Sequence, residues 1–285
     1  MSEHSRLVIG AAQFGLKYGI NNQSGQVSSS EINNILDLAW KNNIEEIDTA
    51  QDYGNSEEVL GNCLSEFKKN FIIHSKFTLR EKSIQDSINQ SLGNLKIPRL
   101  GYFYFHRFSD YIESQNKKAT NHIFENCAGL AVSVYELEEM RKALDDKFIK
   151  AIQLPLNLLD SSEEKIKLIR EAQGTGKKIY IRSVFLQGLF FMDEENLPAK
   201  LSELAQPLKI LKNICKKNNL DMKSLALGYA KNVSLAEGIL IGVETKTQLQ
   251  ENIDGFKTNL SSATLDEISN LEIKNKKLLL PKNWN

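Results

Sequence analysis

The feature that most constrains the fold of this chain is a regular alternation of short apolar runs with longer segments of helical periodicity. Eight such runs, rich in Val, Ile, Leu and aromatic residues, follow one another along the 285 residues. Because parallel strands need a crossover connection, usually a helix, this alternation predicts βαβ units and a parallel sheet. The predicted strands are Leu7–Ala12, Glu46–Ala50, Phe71–Phe77, Gly101–His106, Leu130–Val134, Ala151–Leu154, Lys178–Val184 and Gly238–Gly242.

The segments between these strands have the pattern of helices with one apolar face. Ser28 is a candidate N-cap, with the acidic Glu31 close behind it. The gap before the last strand contains two helical patterns, Ala199–Lys217 and Met222–Lys231, so we expect an extra helix in the seventh unit. Further helices are predicted near Ser83–Leu95, Tyr111–Phe124, Glu136–Leu144, Ser161–Gln173, Gln248–Phe256 and Leu265–Leu271.

The chain has no obvious domain boundary. Its length suits two domains or one α/β barrel of about 250 residues, and no linker rich in Pro, Gly or Ser divides it. A doubly wound dinucleotide-binding sheet would need G-x-G-x-x-G after the first strand, where residues 10–15 read GAAQFG. We therefore predict one (β/α)8 TIM barrel domain over residues 1–285, with the doubly wound sheet as the second candidate.

Charge and hydropathy exclude several classes of partner. Thirty-six Lys and Arg balance thirty-six Asp and Glu, so no overall positive field attracts nucleic acid or an anionic membrane. No stretch approaches the roughly 18 apolar residues of a membrane span, and the first residues lack a secretory h-region. The three cysteines, Cys63, Cys127 and Cys215, match no metal-ligand spacing. We expect a cytoplasmic protein without a bound metal.

Four polar side chains follow three consecutive predicted strands. They are Asp48, Tyr53, Lys76 and His106, and the carboxyl ends of barrel strands meet at one face. An adjacent ammonium can lower the pKa of a phenol by about 1–3 units, and an enclosed Lys76 would need Asp48 as its partner. This set predicts a proton donor aimed at a polar oxygen, which suits carbonyl reduction if another group delivers hydride.

The sequence resembles the aldo-keto reductase superfamily over nearly its whole length. The resemblance implies an NAD(P)-dependent oxidoreductase that reduces an aldehyde or ketone to an alcohol. Tyr53 is then the general acid, Lys76 and Asp48 tune it, and His106 orients the substrate carbonyl. The matching motifs are Asp48-Thr49-Ala50 with Tyr53-Gly54, Ser56-Glu57 with Leu60-Gly61, Lys76, His106, Ser133, Gln153 with Asn157-Leu158-Leu159, Arg182-Ser183 with Gln187-Gly188-Leu189, Ile241-Gly242, and Gln248-Leu249 with Glu251-Asn252.

The same resemblance implies a cofactor site. Ser133 and Gln153 match residues that bind the nicotinamide carboxamide, and Ser183 matches a phosphate-side contact. Arg182 stands where many relatives place an aromatic ring; it could stack on the nicotinamide, or reach the pyrophosphate or an acidic substrate. The remaining predicted cofactor-binding residues are Gly242, Glu244, Thr245, Lys246, Gln248 and Asn252.

The choice between the two nicotinamide dinucleotides depends on the segment after the eighth strand. The family favours NADP(H), but Glu244 and Gln248 occupy positions that are frequently basic in relatives. A carboxylate disfavours a 2′-phosphate and can accept a hydrogen bond from a ribose hydroxyl, whereas Thr245 and Lys246 could bind phosphate. The expectation is NADP(H), with NAD(H) or dual use as the alternative.

The substrate is less constrained. The run FLQGL at residues 185–189 is similar to that of bacterial relatives associated with surface-sugar pathways, which implies a keto-sugar or nucleotide-linked sugar beside generic aldehydes. The alternative to an enzyme is a nicotinamide-nucleotide-sensing protein with little turnover, and the expected assembly is a monomer or small homo-oligomer. A Schiff-base aldolase using Lys76 is a further alternative. Trp284 either folds over the barrel mouth or anchors the tail.

Overall fold

The computed structural model describes residues 6–67, 69–79, 82–116 and 125–284. Its eight strands are all parallel and close into a barrel in chain order, β1 to β8, with β1 paired to β8. The (β/α)8 TIM barrel predicted from the sequence is therefore confirmed. The strands are β1 Leu7–Gly10, β2 Glu46–Asp48, β3 Ile72–Phe77, β4 Leu100–Phe105, β5 Cys127–Ser133, β6 Ile149–Pro155, β7 Lys178–Arg182 and β8 Gly238–Gly242.

Helices connect the strands and cover the outside of the barrel. Ser28 accepts a hydrogen bond from the N–H of Glu31, which confirms it as an N-cap. None of the helices within the described ranges is both long and apolar enough to cross a membrane. The helices are α1 Ala12–Gly15, α2 Ser29–Lys41, α3 Ser56–Glu66, α4 Ile84–Leu95, α5 Phe108–Asn116, α6 Leu137–Asp145, α7 Glu163–Gln173, α8 Ala205–Lys217, α9 Met222–Ser234, α10 Lys246–Phe256 and α11 Ser262–Ser269.

Two predictions about the connections have different outcomes. The seventh unit carries two helices, α8 and α9, before β8, so the extra helix is confirmed. The helix predicted from Tyr111 begins earlier, at Phe108, and is described as far as Asn116; residues 117–124 of that prediction lie outside the described residues.

Two layers of packing surround the strands, one on the outside of the barrel and one inside it. The apolar faces of the helices pack on the outside of the strands; in α2 this face is formed by Ile32, Ile35, Leu36 and Ala39. Inside, large side chains from several strands fill the barrel, so the interior is a packed core. This inner cluster consists of Val8, Tyr104, Ala131, Ala151, Tyr180 and Leu240, with Tyr102 against it.

Candidate active site

A buried ion pair lies at the carboxyl ends of β2 and β3. Lys76 Nζ contacts Asp48 Oδ1 and also donates to the carbonyl oxygen of Thr49 at 3.0 Å. Gln153, from β6, donates through Nε2 to Asp48 Oδ2 at 3.0 Å. Burial lowers the pKa of Lys76, and the Asp48 carboxylate acts in the opposite direction. With both Asp48 oxygens occupied, the pair is fixed in place at the floor of the mouth.

Tyr53 lies directly above this pair, in the turn between β2 and α3. Gly54 adopts a φ of +59° in this turn, and a side chain on Gly15 would collide with the Tyr53 carbonyl, so both glycines are needed for the close approach. The Lys76 ammonium lies 5.0 Å from the centre of the Tyr53 ring. These contacts position the phenol without placing a second strong nucleophile beside it.

The expectation that Lys76 lowers the pKa of Tyr53 is wrong for this structure. Burial raises the pKa of the phenol above its ordinary value, and the nearby Asp48 carboxylate raises it further; Arg182 opposes both. Asp48 largely neutralises the charge of Lys76, so little net positive field reaches the phenol. Tyr53 is therefore protonated at neutral pH and is available as a donor.

His106 stands edge-on to Tyr53 at the end of β4. The ring centres are 5.6 Å apart, and His106 Nδ1 lies 3.4 Å from Asp52 Oδ2, which also accepts from the Thr78 hydroxyl. Burial lowers the pKa of His106, while the Asp52 carboxylate raises it. The Asp52 contact favours the proton on Nδ1, which leaves Nε2 as the ring nitrogen available to a ligand.

These groups open into one cleft of about 550 Å³. Its wall contains the four catalytic candidates and most of the predicted cofactor-binding residues, with two exceptions. The Thr245 hydroxyl accepts the backbone N–H of Gln248 as the N-cap of α10, and Lys246 donates its backbone N–H to Glu31 Oε1 at 2.6 Å. Predicted residues on the wall are Asp48, Tyr53, Lys76, His106, Ser133, Gln153, Arg182, Ser183, Gly242, Glu244, Gln248 and Asn252.

Two residues on the wall of this cleft each carry an open acceptor atom. Gln153 Oε1 and Asn252 Oδ1 are buried and have no hydrogen-bond partner within the described residues. Buried polar atoms are normally satisfied, so an acceptor left open on the wall of a cleft indicates a ligand that carries donors. The carboxamide of a nicotinamide and the exocyclic amine of an adenine are groups that carry such donors.

The wall after β7 is built from an unusual backbone and a fixed arginine. Ser183 has a φ of +61°, outside the range that most residues adopt. Arg182 donates to the Val134 carbonyl oxygen at 3.1 Å and stacks on Tyr135, with Cζ 4.2 Å from the ring centre. The guanidinium thus already has an aromatic partner from the protein itself.

Several residues of the cleft were not predicted from the sequence. Tyr18 and Gln187 come from the loops after β1 and β7, and Gln187 Nε2 donates to the Tyr18 hydroxyl at 3.0 Å. The backbone N–H of Ile20 donates to the Gln187 carbonyl oxygen at 3.0 Å, which joins the two loops across the cleft. Asp52 was also missed, although its place one residue before Tyr53 was a usable signal.

Comparison with known proteins agrees with this geometry. A family model described as the aldo/keto reductase family matches residues 6–273. An aldo-keto reductase from Bacillus halodurans in its holo form superposes with a TM-score of 0.70 at 18% identity, covering 96% of this chain and 91% of that one. A protein from Pseudomonas aeruginosa, provisionally described as an aldo-keto reductase, gives 0.65 at 19% identity, with 88% and 89% coverage. No curated protein matches the sequence.

At these identities the two structures support the fold alone, and the family assignment comes from the sequence model, which spans nearly the whole chain and agrees with the motifs around the cleft. The chain belongs to the aldo/keto reductase family of oxidoreductases.

Proposed function

We propose that this protein reduces an aldehyde or ketone to the alcohol, with Tyr53 as the proton donor. The observation that supports this most strongly is the fixed Asp48–Lys76 pair beneath a phenol that burial keeps protonated. The family acts on carbonyl compounds in general, and this arrangement meets the requirement of that reaction for an acid without a nucleophile.

A reduced nicotinamide dinucleotide, when bound, supplies the hydride that adds to the carbonyl carbon. Tyr53 donates its phenolic proton to the carbonyl oxygen, so that the product is a neutral alcohol. Since an alkoxide is much more basic than a phenolate, the transfer is favourable even from a phenol of raised pKa. Lys76 and Asp48 hold the phenol in place, and His106 offers Nε2 to the same oxygen when the ring is protonated.

For the cofactor, we propose that NADH is used at least as readily as NADPH. The resemblance predicts NADPH, but two backbone N–H groups of this segment are already used: Glu244 N–H donates to Gln248 Oε1 at 2.8 Å, and Lys246 N–H donates to the Glu31 carboxylate. Glu244 also lines the cleft, where its carboxylate suits a ribose hydroxyl better than a phosphate.

We propose a small-molecule carbonyl substrate, with a keto-sugar or nucleotide-linked sugar as one class and simple aldehydes as the other. A screen of NADH and NADPH consumption across aldehydes, keto-sugars and nucleotide-linked ketosugars tests this. Turnover of at least one class is expected. Tight binding of the dinucleotide without turnover of any of them would instead favour the nucleotide-sensing alternative.

A further inference from the structure

Two positive charges share the ring of Tyr135 at the edge of the cleft. Arg182 Cζ lies 4.2 Å from the ring centre, and Lys282 Nζ lies 4.4 Å from it. The two charges are therefore less than about 9 Å apart, within the range in which charges still interact at physiological salt. The sequence motifs do not indicate this arrangement, because Lys282 belongs to none of them and is far from Tyr135 along the chain.

The C-terminal segment is fixed by its own contacts, so the position of Lys282 is built into the fold. Trp284 is buried and donates through Nε1 to the Leu278 carbonyl oxygen at 2.8 Å. Asn283 Nδ2 donates to the Lys277 carbonyl oxygen at 2.9 Å. Trp284 therefore anchors the segment that places Lys282 at Tyr135.

Neither charge has a carboxylate partner within the described residues. Glu139 is near Tyr135, but its Oε2 accepts from the backbone N–H of Tyr135 at 2.7 Å. Lys223, the other cation on this wall, is paired with Glu251. Each cation is attracted to the face of the ring, but the two cations repel one another. A bound anion would remove that repulsion.

Arg182 also has donors to spare. A guanidinium has five N–H donors; one nitrogen binds the Val134 carbonyl oxygen and another lies 3.4 Å from the Ser183 hydroxyl. Both Arg182 and Tyr135 line the same cleft as Tyr53. The positive charge of Arg182 lowers the pKa of Tyr53 and His106, which shows that it acts on the reacting groups.

We propose that Arg182 and Lys282, on the ring of Tyr135, form an anion subsite that binds the carboxylate or phosphate of an acidic carbonyl substrate. The proposal rests on the proposed function and narrows its substrate class. The guanidinium plane suits the paired oxygens of a carboxylate or phosphate, and the ammonium adds a second, more flexible contact. A substrate held there by its anionic end extends along the cleft toward Tyr53 with its carbonyl group.

The test compares matched charged and neutral substrates. We expect kcat/KM for 4-carboxybenzaldehyde to exceed that for 4-carbamoylbenzaldehyde by about tenfold at low ionic strength, and Lys282→Gln to reduce this ratio about fivefold. Lys274→Gln is the matched control, because Lys274 is an exposed lysine of the same C-terminal segment, and it keeps the ratio. A second pair, glyceraldehyde 3-phosphate against glyceraldehyde, shows whether phosphate is preferred to carboxylate.

Three results contradict the subsite. Two of them are equal kcat/KM for both members of each pair, and a charged-to-neutral ratio of kcat/KM that Lys282→Gln leaves unchanged. The third is weaker dinucleotide binding in Lys282→Gln, which would assign this charge to the cofactor. Failure of the proposed function looks different, since wild-type protein would then reduce neither member of a pair. In that case calorimetric titration with benzoate and benzamide decides. Benzoate binding that Lys282→Gln weakens supports the subsite, and equal binding of both ligands contradicts it.

Discussion

The two ends of the barrel contain similar acid–base pairs but differ in whether the pair lines the cleft. At the mouth, Asp48 and Lys76 lie beside a cleft in which Gln153 Oε1 has no partner within the described residues. Two residues earlier on the same strands, Glu46 and His74 form a second acid–base pair, with 2.8 Å between Glu46 Oε2 and His74 Nε2.

At this inner layer both ring nitrogens of His74 and Oε2 of Glu46 are hydrogen-bonded. His74 Nδ1 accepts the backbone N–H of Tyr102 at 2.8 Å, and the Tyr180 hydroxyl donates to Glu46 Oε2 at 2.8 Å. Burial opposes the charge on Glu46, but the hydrogen bonds from His74 and Tyr180, together with nearby positive charge, outweigh it and lower the pKa of Glu46. The comparison teaches that a buried acid–base pair alone does not identify an active site; a cleft beside the pair does.

The largest effect that tests this contrast is removal of one tyrosine hydroxyl from each end. We expect Tyr53→Phe to lower kcat by about 10²–10⁴ while leaving dinucleotide affinity unchanged, because only the proton donor is lost. Tyr180→Phe makes the same chemical change at the inner layer. There it removes the hydrogen bond to Glu46, which costs about 1.5–3 kcal/mol of stability, and it leaves kcat within about twofold. Steady-state kinetics and fluorescence titration measure these outcomes.

Equal loss of kcat in the two variants would contradict the contrast. It would mean that the inner layer controls turnover as strongly as the mouth. Unchanged kcat in Tyr53→Phe alone would remove Tyr53 as the acid.

A second prediction compares two Lys–carboxylate pairs at different depths. Lys76→Met leaves the buried Asp48 without its counter-charge, and we expect a loss of about 3–5 kcal/mol in the free energy of unfolding. Lys178→Met breaks the pair with Glu237 at 2.8 Å, but both side chains are about four-tenths exposed, so the loss stays below about 1 kcal/mol. Urea unfolding measures both. Adding Asp48→Asn to Lys76→Met should restore much of the stability without restoring activity; similar losses in the two single variants would contradict the role of burial.

A third prediction concerns the adenosine end of the mouth. Glu244→Arg replaces the carboxylate on the cleft wall by a cation, and we expect the ratio of NADH to NADPH dissociation constants to shift toward NADPH by at least about tenfold. Glu237→Arg, at the opposite end of the barrel, is the control and leaves the ratio unchanged. Titration of the wild-type protein must also show NADH binding at least as tightly as NADPH; a tenfold preference for NADPH would contradict our cofactor proposal.

The alternation of strands and helices was sufficient to predict the barrel. It also predicted the position of the mouth, because the functional side chains of such a barrel lie at the carboxyl ends of its parallel strands. All eight strands are found within a few residues of their predicted bounds, although β1 ends at Gly10 rather than Ala12. The direction of the Tyr53 pKa shift was not predictable, since it depends on burial and on the pairing of Lys76 with Asp48.

Contacts between distant loops were equally beyond the sequence pattern. The hydrogen bond from Gln187 to Tyr18 joins residues 169 positions apart in segments without periodicity. The position of Lys282 over Tyr135 depends in the same way on how the C-terminal segment packs. The sequence pattern predicts which side chains lie at the ends of the strands. The contacts of Gln187 with Tyr18 and of Lys282 with Tyr135 depend instead on how irregular segments pack in three dimensions.

The smallest predicted effect is on the pH dependence of reduction. If His106 assists as the protonated ring, kcat/KM falls as the pH rises through the pKa of His106. Burial lowers this pKa from its ordinary value of 6.5, and the charges of Lys76 and Arg182 lower it too, whereas Asp52 raises it. Asp52→Asn removes the raising charge, so this limb moves to lower pH, by less than about 1 unit because Asp52 is about one-third exposed. Asp193 pairs with Lys212 on the surface, so the control variant Asp193→Asn should leave this limb of the pH profile in place. Since His106→Gln cannot titrate, its profile should lack the limb altogether, and a limb that persists there would assign the titration to another group.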